Sequence, residues 1–273
     1  MILRALGDAR VVFTDRHGGV SRGPYESANL AGHVGDEPHA VAENRARAAA
    51  RTGMGPPERW ACINQVHGNE VHVVTRETAS NRPRGDGIVT AEPGVILGIF
   101  SADCVPILMI DEKQKIAGAF HAGWRGILAD IATKGVNAMI QLGANPSDLR
   151  AALGPSIGQC CFEVDRELAD RFEAELFRLL SGFSQEKGSP PLLSPFPRGK
   201  GLGVRFLRPG RPGKAYLDLR AIAHDQLIRA GLTPANIANI GPCTRCAHAQ
   251  FFSRRAANGQ TTGLNLSFVG FAK

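Results

Sequence analysis

The sequence predicts an α+β fold: a single-domain sandwich with a mixed β-sheet flanked by helices, covering residues 1–273 and carrying one long basic Pro/Gly-rich insertion at about 187–214. Three observations predict it. Runs dense in Ile, Leu and Val, such as VILGIF at 95–100 and VPILMI at 105–110, have the length and β-branching of strands covered on both faces. Between such runs lie longer segments whose apolar residues recur at helical spacing. No internal repeat is visible, and no linker divides the chain into comparable halves.

The elements follow in order. Val11 to Thr14 reads as an early strand, leading into the turn-rich stretch DRHGGVSRGPYESANL, whose glycines and serines fit a structured loop. Asp36 is placed to cap a helix from about Pro38 to Thr52. Short strands are expected at Trp60 to Val66 and Val71 to Thr75, before the two apolar runs joined by Ser101-Ala102-Asp103-Cys104. IAGAFHAG supplies another strand and ends in a glycine-rich turn that feeds a helix from about Ile127 to Leu142. RAALGP reads as a strand, followed by a helix at about Val164 to Leu180. Beyond the insertion, Leu217 to Ala230 reads as helix, with short strands at Asn236 to Ile240, Phe251 to Ser253 and Leu264 to Val269.

Composition narrows the class. With 43% hydrophobic and 21% charged residues, the chain has the balance of an ordinary globular protein. Its longest apolar stretch, Val95 to Ile110, is broken by Asp103 and Pro106 and is too short to cross a bilayer, so no membrane partner is expected. The start MILRALGDAR puts Arg4, Asp8 and Arg10 where a secretion signal needs apolar residues, which makes a cytoplasmic protein the expectation. The six cysteines, at 62, 104, 160, 161, 243 and 246, lack the regular spacing of a small disulfide scaffold and are expected to be reduced.

The net charge of +7 is concentrated. Seven Lys or Arg and no acid lie between Lys187 and Lys214, which leaves the rest of the chain formally neutral. Six of the 17 prolines and six of the 32 glycines fall in the same segment, the composition of a solvated loop. Only Phe196 and Phe206 are interleaved with this charge, so nucleic acid is not the expected partner, and a nucleic-acid-binding module acting through this insertion is the non-enzyme alternative.

Three segments place a metal-competent side chain at the end of an expected strand: Asn64-Gln65-Val66-His67-Gly68, Ser101-Ala102-Asp103-Cys104 and Phe120-His121-Ala122-Gly123-Trp124-Arg125-Gly126. Two imidazoles and a thiolate suit zinc with a fourth position left for water. The spacings match no short zinc motif, however, and a lone His or buried Cys is ordinarily structural. Two other constellations compete. Pro242-Cys243-Thr244-Arg245-Cys246 has the P-C-x-x-C half of the zinc deaminase signature, yet no histidine has a glutamate two positions later. A structural zinc site from Cys243, Cys246, His248 and the Cys160–Cys161 pair meets the objection that adjacent ligands seldom reach one ion. A metal-free hydrolase would use Cys104 as nucleophile and His121 as base. HAGWRG also puts glycines and an arginine just before an expected helix, a natural anion site.

NQVHG, SADCVP and HAGWRG, in that order, resemble the laccase-domain family of bacterial polyphenol-oxidase-like proteins, regarded as purine nucleoside phosphorylases, which includes the human laccase-domain-containing protein. The resemblance extends through FTDRHGGVSRGPYESANL, GDEPHAVAENR, GDGIVT, LGPSIGQCCFEV, FFSRR and GQTTG. It implies catalytic zinc on His67, Cys104 and His121, substrate contacts near Asn44, Arg45, Gly123 and Arg125, and phosphate on Arg45 and Arg125. The implied partners are purine nucleosides and phosphate. The implied reactions are phosphorolysis of adenosine, inosine, guanosine and methylthioadenosine, with deamination of adenosine as a second activity and Asp86 or Glu70 as candidate proton shuttles. Two departures stand out: Leu264 occupies the place of an arginine whose contact Arg254 or Arg255 would have to supply, and the insertion is longer and more basic than the family pattern.

Copper oxidase chemistry of the multicopper type needs several H-x-H pairs, and the eight histidines (17, 33, 39, 67, 72, 121, 224 and 248) form none. Copper in the three-residue site, as a polyphenol oxidase, remains an alternative to zinc there.

Overall fold

The computed structural model describes residues 2–6, 8–182 and 206–271. In chain order the strands are β1 (Ile2–Leu6), β2 (Ala9–Phe13), β3 (Trp60–Cys62), β4 (Val71–Val73), β5 (Gly87–Thr90), β6 (Ile96–Ser101), β7 (Val105–Asp111), β8 (Ile116–Ala122), β9 (Arg150–Leu153), β10 (Glu163–Asp165), β11 (Leu207–Pro209), β12 (Lys214–Leu217), β13 (Ile237–Asn239) and β14 (Asn265–Phe271). The α-helices are α1 (Pro38–Thr52), α2 (Trp124–Leu128), α3 (Ile131–Gln141), α4 (Arg166–Gly182) and α5 (Leu219–Arg229).

Two mixed sheets pack face to face, in the orders β1-β2-β14-β6-β3 and β13-β9-β7-β8-β5-β4. The chain is therefore an α+β sandwich, as expected, with two mixed sheets where the sequence pointed to one. Alternation along the strands shows why the apolar runs are continuous. In β7, Leu108 and Ile110 join Val11, Phe13, Leu97, Ile99 and Val269 in the core between the sheets. Ile107 and Met109 face the other way, into a core with Ile131, Val136 and Met139 of α3 and Ile222 and Leu227 of α5. Every residue of β6, β7 and β8 is buried. Such a strand has no polar face for water, and each fully buried Leu or Ile contributes about 1.5–3 kcal/mol. On the outside of the first sheet, Val12, Phe100, Leu266 and Phe268 pack with Leu30, Ala31 and Met54 and with Ala48 and Ala49 of α1.

Several local expectations are corrected. The first strand extends over Ala9–Phe13 and is preceded by β1, which pairs with it antiparallel. The helix expected over Ile127 to Leu142 is two helices, broken at Ala129 and Asp130, where Asp130 takes φ 56. Asp36 does not cap α1: the cap residue is Glu37, and Asp36 Oδ2 accepts from Ser21 Oγ (2.7 Å) and Asn29 Nδ2 (2.9 Å). Phe251 to Ser253 forms no strand; its backbone is satisfied instead by the Asn265 amide, which accepts from Phe252 N and donates to Phe252 O.

Residues 187–205 of the basic insertion lie outside the described residues. Its remainder is folded: β11 and β12 form a hairpin, and β12 pairs with β10. Arg211 is ion-paired with Glu163 and Lys214 with Asp165, both acids of β10, so part of the charge cluster is neutralised across this small sheet. Alternation did not reveal these strands because their exposed positions are charged and Pro209, Gly210, Pro212 and Gly213 interrupt them. Among the described residues, no helix is long and apolar enough to cross a membrane.

Candidate active site

The chain passes from the first sheet to the second twice, returning between β5 and β6, and each of these two passages carries one member of the trio. The connection from β3 in the first sheet to β4 in the second holds His67, and the link from β6 to β7 holds Cys104. His121 stands on β8, whose Ala122 pairs with Val105 directly after Cys104. Topology thus brings together residues separated by 37 and 17 positions. Their Nδ1, Nε2 or Sγ ligand atoms lie within 4.8 Å of one another. The His67 and His121 rings meet edge to face, with centroids 4.8 Å apart.

A buried carboxylate organises this arrangement. Asp86 has no exposed surface, and it lies just before β5. Its Oδ2 accepts the backbone N–H groups of Val66 (3.1 Å) and Gly68 (2.6 Å). Its Oδ1 accepts His67 N–H (3.0 Å) and His121 Nδ1 (2.7 Å). Three successive amides converging on one carboxylate curl the loop, so that His67 adopts φ 61, a left-handed conformation that disfavours a side chain by roughly 1–2 kcal/mol. The fourth bond fixes the His121 ring and leaves its Nε2 to face the other two ligands, the carboxylate–histidine arrangement of many metal centres. Gln65 braces the same loop against β6, donating to Phe100 O (2.7 Å) and accepting from Phe100 N (2.8 Å).

Cys104 is held through the residue before it. Asp103 takes φ 99 while its carboxylate accepts from Thr244 Oγ1 and Arg255 N, both at 2.6 Å, and its carbonyl accepts from Ile157 N (2.8 Å). Burial alone pushes the Cys104 thiol up, but the charges and hydrogen bonds of His121 and His67 outweigh it and bring the thiol down to about 6. Burial pushes His121 down, while the Cys104 thiolate and then Asp86 lift it to about 9. The two shifts share a cause: thiolate and imidazolium stabilise each other, so the pair favours the thiolate form of Cys104, the form in which a cysteine binds a metal.

Gly123 is the floor of the site. A Cβ there would stand 2.9 Å from His67 Cδ2, 3.2 Å from Cys104 Sγ and 3.7 Å from His121 Cε1. At Gly126 a Cβ would stand 2.8 Å from the Gly68 carbonyl, so this glycine lets α2 close against the His67 loop. The spacing of donor atoms, their softness and the side-chain-free floor all fit a zinc-sized ion.

The remaining sequence candidates take several places. Asn44 is 2% exposed and fully engaged: it donates to Ser21 Oγ, Ser27 O and Asn29 O and accepts from Val20 N. It therefore shapes the loop of residues 18–36. Arg45 is half-buried, with Nε on Leu30 O at 2.9 Å, and burial pushes its guanidinium down. It stands close enough to Arg82 and His33 for their charges to interact, and His33 packs edge-on against Phe100 (5.4 Å). Arg125 is exposed and stacks on Trp124 at 4.2 Å, one residue after Gly123-Trp124 begins α2. Since α2 has five residues, little helix dipole supports the anion site expected there. Of the two candidate proton shuttles, Asp86 is the organiser just described, whereas Glu70 is exposed and approaches His72 at 3.4 Å. Leu264 lies against the outer face of the first sheet, while Arg255 donates to the carbonyls of Cys161 and Glu163.

The organising role of Asp86, the clamp of Gln65 and the bracing of Asp103 were not read from the sequence. Asp86 lies in the GDGIVT motif and was expected as a candidate proton shuttle, not as an organiser; the others are contacts between residues 35 to 152 positions apart.

The chain belongs to the family described as multi-copper polyphenol oxidoreductase laccase, whose profile matches residues 10–272. It is 37% identical over 270 residues to the purine nucleoside phosphorylase YlmD of Geobacillus stearothermophilus, covering 94% of this chain and 88% of that protein. The crystal structure of YlmD superimposes with a TM-score of 0.81, at 35% identity, over 97% of this chain and 93% of the other. The purine nucleoside phosphorylase SCO2081 of Streptomyces coelicolor is 46% identical over 258 residues, 94% of this chain and 93% of its own. The adenosine deaminase RL5, from an unknown prokaryotic organism, is 32% identical over 241 residues, 86% of this chain and 83% of its own.

Proposed function

We propose that this protein is a zinc-dependent purine nucleoside phosphorylase acting on adenosine, inosine, guanosine and methylthioadenosine, with adenosine deamination as a second activity. The observation that carries the reading is the convergence of His67, Cys104 and His121 over the bare backbone of Gly123, with Asp86 buried behind them. Relatives named for both activities support the substrate class. Bound by these three side chains, zinc would supply a Lewis acid and lower the pKa of a water in the open position.

Phosphorolysis forms a bond from a phosphate oxygen to the anomeric carbon while the purine leaves with the carbon–nitrogen electron pair and takes up a proton. The chain must therefore hold an anion against a sugar that becomes positive. Arg45 and Arg125 are assigned to the phosphate; Arg45, held through Nε, presents a pre-oriented guanidinium. Asn44 is assigned to the support of that arginine through its loop. Asp86 holds the His121 proton at Nδ1 and so keeps Nε2 directed into the site.

A second reading rests on the Cys104–His121 pair, which would act as nucleophile and base in a metal-free hydrolase. Incubation with adenosine separates the readings. Adenine and ribose 1-phosphate formed only with added phosphate, inosine formed without it, and loss of both on chelation support the proposal. Activity that survives chelation but not alkylation of Cys104 favours the hydrolase, and no turnover of any purine nucleoside sinks the enzyme reading.

Gly123→Ala provides a geometric check. The backbone there (φ −73, ψ 168) is one that alanine adopts freely, so the added methyl acts through the site. Displacement of a reacting group by about 1 Å can cost about 10²-fold in rate, and that is the expected loss in kcat/KM, with the thermal midpoint little changed.

A further inference from the structure

We propose that Cys160, Cys161, Cys243 and Cys246 form a second metal site, a structural centre holding one zinc ion by four thiolates. Their four sulfur atoms lie within 4.8 Å of one another, and none is in a disulfide. Cys246 Sγ is 3.6 Å from Cys160 Sγ and 3.4 Å from Cys161 Sγ. With Zn–S bonds of about 2.3 Å, the sulfurs of a regular tetrahedron stand about 3.8 Å apart, close to this spacing and far from a disulfide bond of about 2.05 Å.

Two features show how neighbouring cysteines reach one ion, against the objection from sequence. A tight turn, in which Cys161 N and Phe162 N both donate to Gly158 O (2.9 and 3.0 Å), folds the adjacent pair toward one point. Facing it is the C-x-x-C turn at Cys243 and Cys246, tied down by Thr244 N to Ser156 O (3.0 Å) and Ala247 N to Cys243 O (2.9 Å). A Cβ on Gly158 would stand 3.2 Å from Cys243 Cβ and 3.3 Å from Cys160 Sγ, so a side chain there would press the two turns apart by a few tenths of an ångström. Arg245 Nη1 lies 3.6 Å from Cys161 Sγ, placed to offset the two negative charges of a zinc tetrathiolate. His248 is not among the converging ligands; its Nδ1 approaches Arg245 O.

Four protein ligands leave no position for substrate or water, so the centre is structural. It joins the segment between β9 and β10 to the segment between β13 and β14, and the latter delivers Thr244 and Arg255 to Asp103, beside Cys104. Zinc here would staple the loop that braces the catalytic cysteine. Binding exchanges up to four thiol protons for one divalent cation and needs no oxidant.

The test separates this centre from the active site. Protein with Cys104→Ala, purified under reducing conditions, should retain one zinc per chain by elemental analysis, and Cys243→Ser/Cys246→Ser should lose that one. Cobalt(II) added to demetallated Cys104→Ala protein should give the intense sulfur-to-metal charge transfer of a tetrathiolate. In native wild type, differential alkylation should find the four cysteines protected until chelator is added, which needs no variant. One zinc in both wild type and Cys104→Ala would overturn the active-site metal and leave this centre standing. A Cys104→Ala protein free of zinc, cysteines open to alkylation before chelation, or a mass showing them oxidised to disulfides as isolated would overturn the tetrathiolate centre.

Discussion

Replacing Cys104 with alanine is expected to give a folded protein that has lost the active-site zinc and about 10³-fold in kcat/KM for adenosine phosphorolysis, the several kcal/mol that a Lewis acid contributes to a transition state. The protein should fold because Cys104 is only partly buried and lies on a crossing whose shape is fixed by Asp103, through bonds to Thr244, Arg255 and Ile157. Losing the thiol also removes the partner that most strongly lifts the His121 imidazole, whose proton affinity should then fall from about 9. Elemental analysis and steady-state kinetics on the same preparation check both parts. Full activity with one zinc fewer would separate the metal from the reaction, and unchanged zinc would remove Cys104 from the ligand set.

Asp86→Asn is expected to weaken both the fold and the site. Each Asp86 oxygen accepts two hydrogen bonds, Oδ2 from Val66 and Gly68 and Oδ1 from His67 and His121. An amide must turn its NH₂ toward one of these pairs, setting donors against donors whichever way it flips. At a site without exposed surface, the expected cost is about 3 kcal/mol of stability. Either flip also disturbs the His67 loop or the His121 ring, so metal affinity and activity should fall by about 10–100-fold, the usual effect of losing such a support. Burial pushes the Asp86 carboxyl up, but the His121 and Gly68 hydrogen bonds outweigh it and hold it below the usual range. Its stabilising contribution is thus complete above the ordinary carboxylate pKa and lost as pH falls through the lowered value. Thermal unfolding from neutral to acidic pH should show a steep acid limb in wild type and a shallower one in Asp86→Asn. Wild-type stability and pH dependence in the variant would refute the role assigned to this carboxylate.

How much the sequence made legible depended on the distance over which each feature is determined. VPILMI could be read as a strand because both its faces are apolar, a local property that tertiary packing uses directly. The hairpin of β11 and β12 was hidden because it is held by pairing with β10 and by Arg211–Glu163, while its own composition is that of a loop. Asp130 gave no sequence signal for a helix break, since its left-handed backbone shows up in the structure and not in the surrounding spacing. The four cysteines are the sharpest instance. Adjacent Cys160 and Cys161 argued against a shared ion until the turn at Gly158 was seen to bring both against the Cys243–Cys246 turn.

The sequence by itself determined the alternation of apolar runs and helices, the concentration of basic charge at Lys187 to Lys214, and the presence of metal-competent side chains at His67, Cys104 and His121. These are properties of composition and short-range order, carried by the residues themselves. Only the tertiary structure decided that two sheets face each other and that two passages from the first to the second meet His121 on β8. It alone made Asp86 the residue that curls one ligand loop while orienting another ligand's ring. The physical reason is that a directional site requires hydrogen bonds and close approaches among residues far apart in the chain, and those distances exist only once the sheets have packed.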